Sequence, residues 1–145
     1  MPTKELSPRL AEIVAALPLR PGMRVLEIGC GTGAATRAIV SRIGDGHVLA
    51  IDRSAKAVEQ TMHASRNEIA AGRLSVRQAA AEDFTLEPGE ELYDIAFAVR
   101  VGALDGRHPE IERQARERIA AALKPDGRLF IDGGDPMREI VLERS

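Results

Sequence analysis

The chain has 145 residues, 44% of them hydrophobic and 29% charged, with a formal net charge of −2. That length sets one domain with its own core as the expectation, and the charge supplies no global field toward nucleic acid or anionic lipid. No apolar run approaches the roughly 20 residues that span a bilayer, and the opening Met-Pro-Thr-Lys-Glu-Leu shows no apolar signal core.

Aromatic residues are scarce at 3%, so the core must be built mostly from Leu, Ile, Val and Ala. Ser7-Pro8 reads as a helix start, a hydroxyl N-cap followed by proline in the first turn. Leu10, Ile13, Val14 and Leu17 then fall on one helical face, and Pro18 and Pro21-Gly22 end the segment. Arg24 to Ile28 is a short apolar strand running into a glycine turn, Gly29-Cys30-Gly31-Thr32-Gly33. A helix is predicted over Ala34 to Ile43, with Ala35, Ala38, Ile39 and Ile43 toward a sheet, and Gly44-Asp45-Gly46 stops it.

His47 to Ile51 is a second strand, with Asp52 at its end. Ser54 caps a predicted helix that carries Val58, Met62 and Ile69 inward and stops at Gly72; Leu74 to Val76 marks a third strand. Pro88-Gly89 is a turn and Tyr93 to Val99 a fourth strand. Pro109 to Leu123 is a helix with Ile111, Ala115, Ile119 and Ala122 on one stripe. Lys124-Pro125-Asp126-Gly127 is a turn, and Arg128 to Ile131 a fifth strand. For the tail, Asp135-Pro136 reads as a cap for a helix through Leu142, with a strand over Glu139 to Glu143 as the alternative. Strands alternating with helices imply a mostly parallel sheet covered on both faces.

The chemistry concentrates at the glycine turn. Glycines after a parallel strand let a ligand approach the backbone closely, and the following helix aims free N–H groups there. In open α/β sheets ligands sit outside the carboxyl ends of the strands, where Gly29 to Gly33 and Asp52 both fall. A carboxylate at Asp52 can accept hydrogen bonds from two vicinal ribose hydroxyls. Gly29 to Ala34 also satisfies a permissive dinucleotide fingerprint, G-x-G-x-x-A. Glu27, two residues before the first glycine, separates the readings: a carboxylate there repels a diphosphate and attracts a cationic aminopropyl-sulfonium tail.

The run Val25-Leu26-Glu27-Ile28-Gly29-Cys30-Gly31-Thr32-Gly33 resembles the first motif of class I S-adenosylmethionine-dependent methyltransferases. Asp52 matches that family's acidic ribose position, and Leu123 to Leu129 resembles its turn into the fifth strand, so the likeness runs from about Pro21 to Ile131. The resemblance implies an α/β, three-layer Rossmann-like sandwich with strand order 3-2-1-4-5. The family's two further strands are not provided for, so the sheet is expected to be shortened at its C-terminal edge. It divides residues 1–145 into an N-terminal helix (1–20), a core (21–133) and a short tail (134–145) of one domain. It implies S-adenosyl-L-methionine as cofactor, with Glu27, Gly29, Cys30, Gly31, Gly33, Asp52, Arg53, Ala81, Glu82, Asp83 and Val99 around it. Ala80 stands where many members place an aspartate on the adenine. Strand four lacks the Asn/Asp-Pro-Pro-aromatic turn of many amino-methylating members, which counts against methylation of DNA bases.

No catalytic cluster stands out. Arg100 is a candidate for holding an acidic substrate or a solvated rim residue. His108 is a candidate general base or an exposed loop histidine, and Asp132 and Asp135 are substrate-mouth acids or a turn and a helix cap. Cys30, the only cysteine, has no internal disulfide partner and reads as a packing residue, which points to a reducing cytoplasm; no metal-ligand spacing accompanies it. Arg107, Arg113, Arg116, Arg118 and Lys124 are interleaved with Glu110, Glu112 and Glu117, the pattern of a salt-bridged solvated face rather than a nucleic-acid patch. The expectation is therefore methyl transfer to an unidentified small molecule, without membrane or nucleic-acid partner, with a homodimer as one way to cover the short sheet edge. A nicotinamide-dependent oxidoreductase and a non-catalytic S-adenosylmethionine-binding module that needs a partner are the alternatives.

Overall fold

The computed structural model describes residues 6–142. Met1 to Glu5, from the segment read for a leader, and Glu143, the last residue of the alternative tail strand, lie outside them. The elements are α1 (Pro8–Ala16), β1 (Arg24–Ile28), α2 (Ala34–Val40), β2 (His47–Asp52), α3 (Ala55–Ala64), α4 (Arg66–Ala70), β3 (Leu74–Gln78), β4 (Tyr93–Ala98), α5 (Pro109–Ala122), β5 (Leu123–Asp132) and β6 (Met137–Ile140). One six-stranded sheet runs β3-β2-β1-β4-β5-β6, parallel except for β6.

Strand alternation sorts the core into two faces. Val25, Val48, Ala50, Ile95, Phe97 and Phe130 face α1 and α2. Leu26, Leu49, Ala96, Ala98, Leu129 and Ile131 face α5, with Ala115, Ile119 and Ala122 packed onto them. Ser7 caps α1 by accepting the Leu10 N–H, and Ile13, Val14 and Leu17 are buried as the periodicity predicts.

Four expectations are corrected. The tail is not a helix: β6 pairs antiparallel with β5, Ile140 opposite Leu129, with Ile140 buried and Arg128 paired to Glu139. The turn is set by Gly133-Gly134, where a Cβ on Gly134 would lie 2.3 Å from the Met137 carbonyl oxygen. This diglycine hairpin signal outweighs the Asp-Pro cap signal, so the sheet gains a sixth strand at the edge expected to end at β5.

The predicted helix from Ser54 to Gly72 breaks at Ser65. It is also rotated: Thr61 and Ser65 are fully buried, whereas Met62 is exposed. The cause is polar, because Thr61 Oγ1 donates to the Gly31 carbonyl (3.0 Å) and Ser65 Oγ accepts from Arg37 Nη1 (3.2 Å). Helix α2 ends at Val40, three residues early, although Ile43 remains buried. Finally, the Lys124 to Gly127 turn is an excursion within β5. Tyr93 pairs with Leu123 and Ile95 with Arg128, while Lys124 Nζ bonds Asp94 Oδ1 (2.8 Å).

On α5 the predicted stripe is only partly buried: Ile119 is inside, but Ile111 is exposed. Arg113 pairs with Glu110 and Glu117, and Arg116 with Glu112, on the solvated side. Ile119→Ala should therefore lower the unfolding free energy by about 2–5 kcal/mol. Ile111→Ala should cost less than about 1 kcal/mol. Urea denaturation of both variants checks the contrast, and equal losses would refute this facing of α5.

Candidate functional site

The site forms where β1, β2 and β4 end. Positive φ angles at Gly29 (+81°) and Gly33 (+86°) build the elbow after β1. A Cβ on Gly29 would lie 2.9 Å from Val101 Cγ2, and one on Gly33 would lie 2.9 Å from Thr61 Cγ2. Both are fixed by packing. Gly31 differs: its φ is +55°, yet nothing stands within 4 Å of its would-be Cβ, so the space it faces is open.

Glu27 points to the α2 side of the sheet, in the row of its register partners Ala50 and Phe97. It is only 3% exposed. Thr36 Oγ1, on α2, donates to Glu27 Oε1, and the other carboxyl oxygen has no hydrogen-bond partner among the described residues. Burial pushes the Glu27 carboxyl up to about 8. The Thr36 bond pulls it down, the Asp52 charge raises it further, and Arg37 lowers it. A carboxylate losing water without a counter-charge keeps its proton instead.

Asp52, at the end of β2, fastens the elbow from the other side. Its Oδ2 accepts the Gly31 N–H (3.1 Å) and its Oδ1 the Ser54 N–H (2.9 Å). Each oxygen keeps a free lone pair for a further donor.

Three adjoining hollows open along these strand ends. The first, of about 240 Å³, lies between α1 and the elbow and includes Ser7, Arg9, Glu27, Cys30, Gly31 and Val99. The second, of about 140 Å³, is lined by Asp52, Arg53, Ala80, Ala81, Glu82 and Gly102, among others. Gly29 and Arg100 border both. The third, of about 340 Å³, continues past Arg100 toward β6. Arg100 lines all three, and it is the one non-glycine residue with positive φ (+57°) among those described. Its N–H donates to Asp132 Oδ1 (3.1 Å), which holds this sparsely populated conformation in place.

Nine of the eleven residues expected around a cofactor thus border the first two hollows. Gly33 lines neither and serves the packing of Thr61 against the elbow; Asp83 is exposed and lines neither. Of the catalytic candidates, Arg100 borders all the hollows and Asp132 the third, whereas His108 stands at the start of α5 and lines none. Asp135 is exposed and caps no helix. Burial pushes the Cys30 thiol up to about 11, so it is a neutral packing group at pH 7. Among the described residues no three His, Cys, Asp or Glu side chains converge as a metal site, and no helix is long and apolar enough to cross a membrane.

Sequence reasoning missed Ser7, Arg9 and Leu10 on the wall of the first hollow, Thr36 beneath Glu27, and Arg138 in the third hollow. Thr36 left a legible signal: a hydroxyl beside Ala35 and Ile39 on a buried stripe requires a partner.

A profile for the methyltransferase domain matches residues 25–127. Over 133 residues the chain is 36% identical to a protein-L-isoaspartate O-methyltransferase of Methylorubrum extorquens (strain PA1), covering 92% of this chain and 51% of that protein. Over 82 residues it is 38% identical to a probable cobalt-precorrin-6B C(15)-methyltransferase (decarboxylating) of Thermoplasma acidophilum, covering 56% and 39%. A SAM-dependent methyltransferase from Thiobacillus denitrificans, solved in complex with S-adenosyl-L-homocysteine, shares the fold. Its TM-score is 0.67 at 24% identity, over 88% of this chain and 48% of that one. The chain spans about half or less of the length of these relatives.

The buried carboxyl sets a pH signature. Between the ordinary range near 4.5 and about 8, the folded chain keeps a proton on Glu27 that the unfolded chain releases. Stability is therefore lost as pH rises through that window, by up to about 1.4 kcal/mol per pH unit. Glu27→Gln keeps a partner for Thr36 and removes this titration. Urea unfolding should find the variant more stable than wild type at pH 8 by an amount on the order of a few kcal/mol, with the gap closing toward pH 5. A gap that does not change with pH would refute the assignment.

Proposed function

The chain belongs to the methyltransferase-domain family, and on that premise we propose that it binds S-adenosyl-L-methionine across the first two hollows and transfers its methyl group to a small molecule. One observation carries the reading: a buried acid, Glu27, and a backbone-anchored acid, Asp52, flank one glycine elbow and border hollows that share Gly29 and Arg100.

The residues fit the cofactor part by part. Glu27 would hold the cationic end in the first hollow, through the oxygen that Thr36 leaves free. Gly31 leaves open space where any side chain would intrude. Asp52 would accept the ribose hydroxyls. The backbone around Ala81 and Glu82 would border the adenine, since Ala80 brings no carboxylate. When bound, S-adenosylmethionine supplies a methyl group already activated by a sulfonium. The protein's task is then alignment, which alone contributes roughly 7–11 kcal/mol, and a dedicated base is not required.

Glu27 supports the selection of a cation over a diphosphate differently from a standing negative charge. At pH 7 the acid is largely neutral in the free protein. An arriving cation draws it into its ionised form and gains an ion pair, whereas a diphosphate gains no such pair at Glu27.

The relatives' names put the methyl on oxygen in one case and on carbon in the other, so kinship leaves the acceptor atom open. A small molecule is favoured because Arg100 and its neighbours border a hollow of small-molecule size rather than an extended basic face. A cytoplasmic setting accords with a single free cysteine. A homodimer, if formed, would cover the outer edge of β6.

Calorimetry with S-adenosylhomocysteine in buffers of different ionisation enthalpy tests the reading. Binding at pH 7 should release close to one proton, and Glu27→Gln should release none and bind at least about tenfold more weakly, a loss of about 1.4 kcal/mol. Asp52→Ala should weaken binding at least about tenfold as well, from its lost charge-assisted hydrogen bonds. Tight binding of NAD with no binding of S-adenosylhomocysteine would overturn the proposal.

A further inference from the structure

The third hollow is a built pocket that the cofactor reading does not use. Its floor is one row across three strands: Ala98 on β4, its register partner Ile131 on β5, and Arg138 on β6 opposite Ile131. Val101 and Leu104 add apolar wall, and Arg100 joins the hollow to the cofactor site.

Its charges are unequally engaged. Asp132 Oδ1 accepts the Arg100 N–H. Asp105 is paired with Arg107, through the N–H to Oδ1 (3.0 Å) and the guanidinium to Oδ2 (2.7 Å); the Arg107 N–H first and then its side chain hold Asp105 below the usual carboxylate range. By contrast, the guanidinium groups of Arg100 and Arg138 make no hydrogen bond or ion pair among the described residues. The lining carries two arginines, Arg100 and Arg138, and two aspartates, Asp105 and Asp132; because Arg107, from outside the lining, neutralises Asp105, the two arginines face one carboxylate without an ion pair among the described residues, which leaves one positive charge in surplus.

We infer that the third hollow is the acceptor subsite and takes a small organic monocarboxylate, its apolar body on the Ala98–Ile131 row and its carboxylate between the free forks of Arg100 and Arg138. The acceptor role rests on the methyltransferase reading, while the carboxylate preference stands on the hollow alone. Guanidinium forks match carboxylate geometry bidentately. A surplus of one charge suits a monoanion better than a phosphate dianion. The inference also gives β6 a role, since that strand supplies Arg138.

The test uses the full chain, with and without saturating S-adenosylhomocysteine, and benzoate, hexanoate and cyclohexanecarboxylate as probes. Benzamide, hexanamide, hexylamine and phenyl phosphate are the controls, read by ligand-observed NMR and calorimetry. At least one carboxylate should bind tenfold or more tightly than its amide, than hexylamine and than phenyl phosphate. Arg138→Gln should cut that affinity at least tenfold, and Arg138→Lys should restore part of it. The inference is overturned if no carboxylate binds, if amides or the amine bind equally well, if phenyl phosphate binds more tightly, or if Arg138→Gln changes nothing. Failure of S-adenosylhomocysteine to bind the wild-type chain would instead remove the cofactor reading, while carboxylate selectivity measured without it still decides the chemistry of this hollow.

Discussion

A carboxyl group in a β-strand whose register partners are Ala50 and Phe97 has lost most of its hydration, and it has only a threonine hydroxyl in return. Leucine or valine at that position would pack better and cost nothing in desolvation. Glu27 therefore weakens the free protein, and its presence makes sense only if something reaches it from the open side. The glycine elbow leaves that side open. Strand alternation puts Glu27 on the α2 face, the turn at Gly29 ends the strand before a further side chain covers it, and Gly31 adds no side chain to the space beyond.

The rest of the site is arranged around that elbow. Asp52 reaches across from β2 to take the Gly31 N–H, while Thr61 on α3 donates to the Gly31 carbonyl and Ser65, just after α3, accepts from Arg37 on α2. Arg100, held with positive φ by Asp132, carries the chain from the first two hollows into the third one. The Asp52 and Asp132 contacts each link the end of one strand to the chain leaving its neighbour. The hollows thus share walls: Gly29 borders the first two and Arg100 all three.

Much of this was legible in the sequence because it follows from short-range rules. The strands β1 and β4, the Ser7 cap, the apolar rows and the elbow all come from periodicity and glycine placement. So did the two acids, since Glu27 and Asp52 each end or nearly end an apolar run. What escaped depends on contacts between distant segments. The break at Ser65 is imposed by Arg37 and the elbow carbonyl, not by its own neighbours. Met62 and Ile111 sit on helical stripes that the sequence reads as apolar, yet the helices are docked with other residues inward. In the tail, a cap signal at Asp135-Pro136 competed with a hairpin signal at Gly133-Gly134, and pairing with Leu129 to Asp132 decided for the hairpin. The protonated state of Glu27 was out of reach altogether, because it depends on burial by helix α2 and on Asp52.

The most direct test is a carboxyl-carbon NMR titration of Glu27 in protein labelled at glutamate side chains, assigned by the Glu27→Gln spectrum. The account predicts a midpoint near 8 in the free protein and a carboxylate already ionised below pH 6 once S-adenosylhomocysteine is bound. A midpoint in the ordinary glutamate range, or one that does not move on binding, would contradict it.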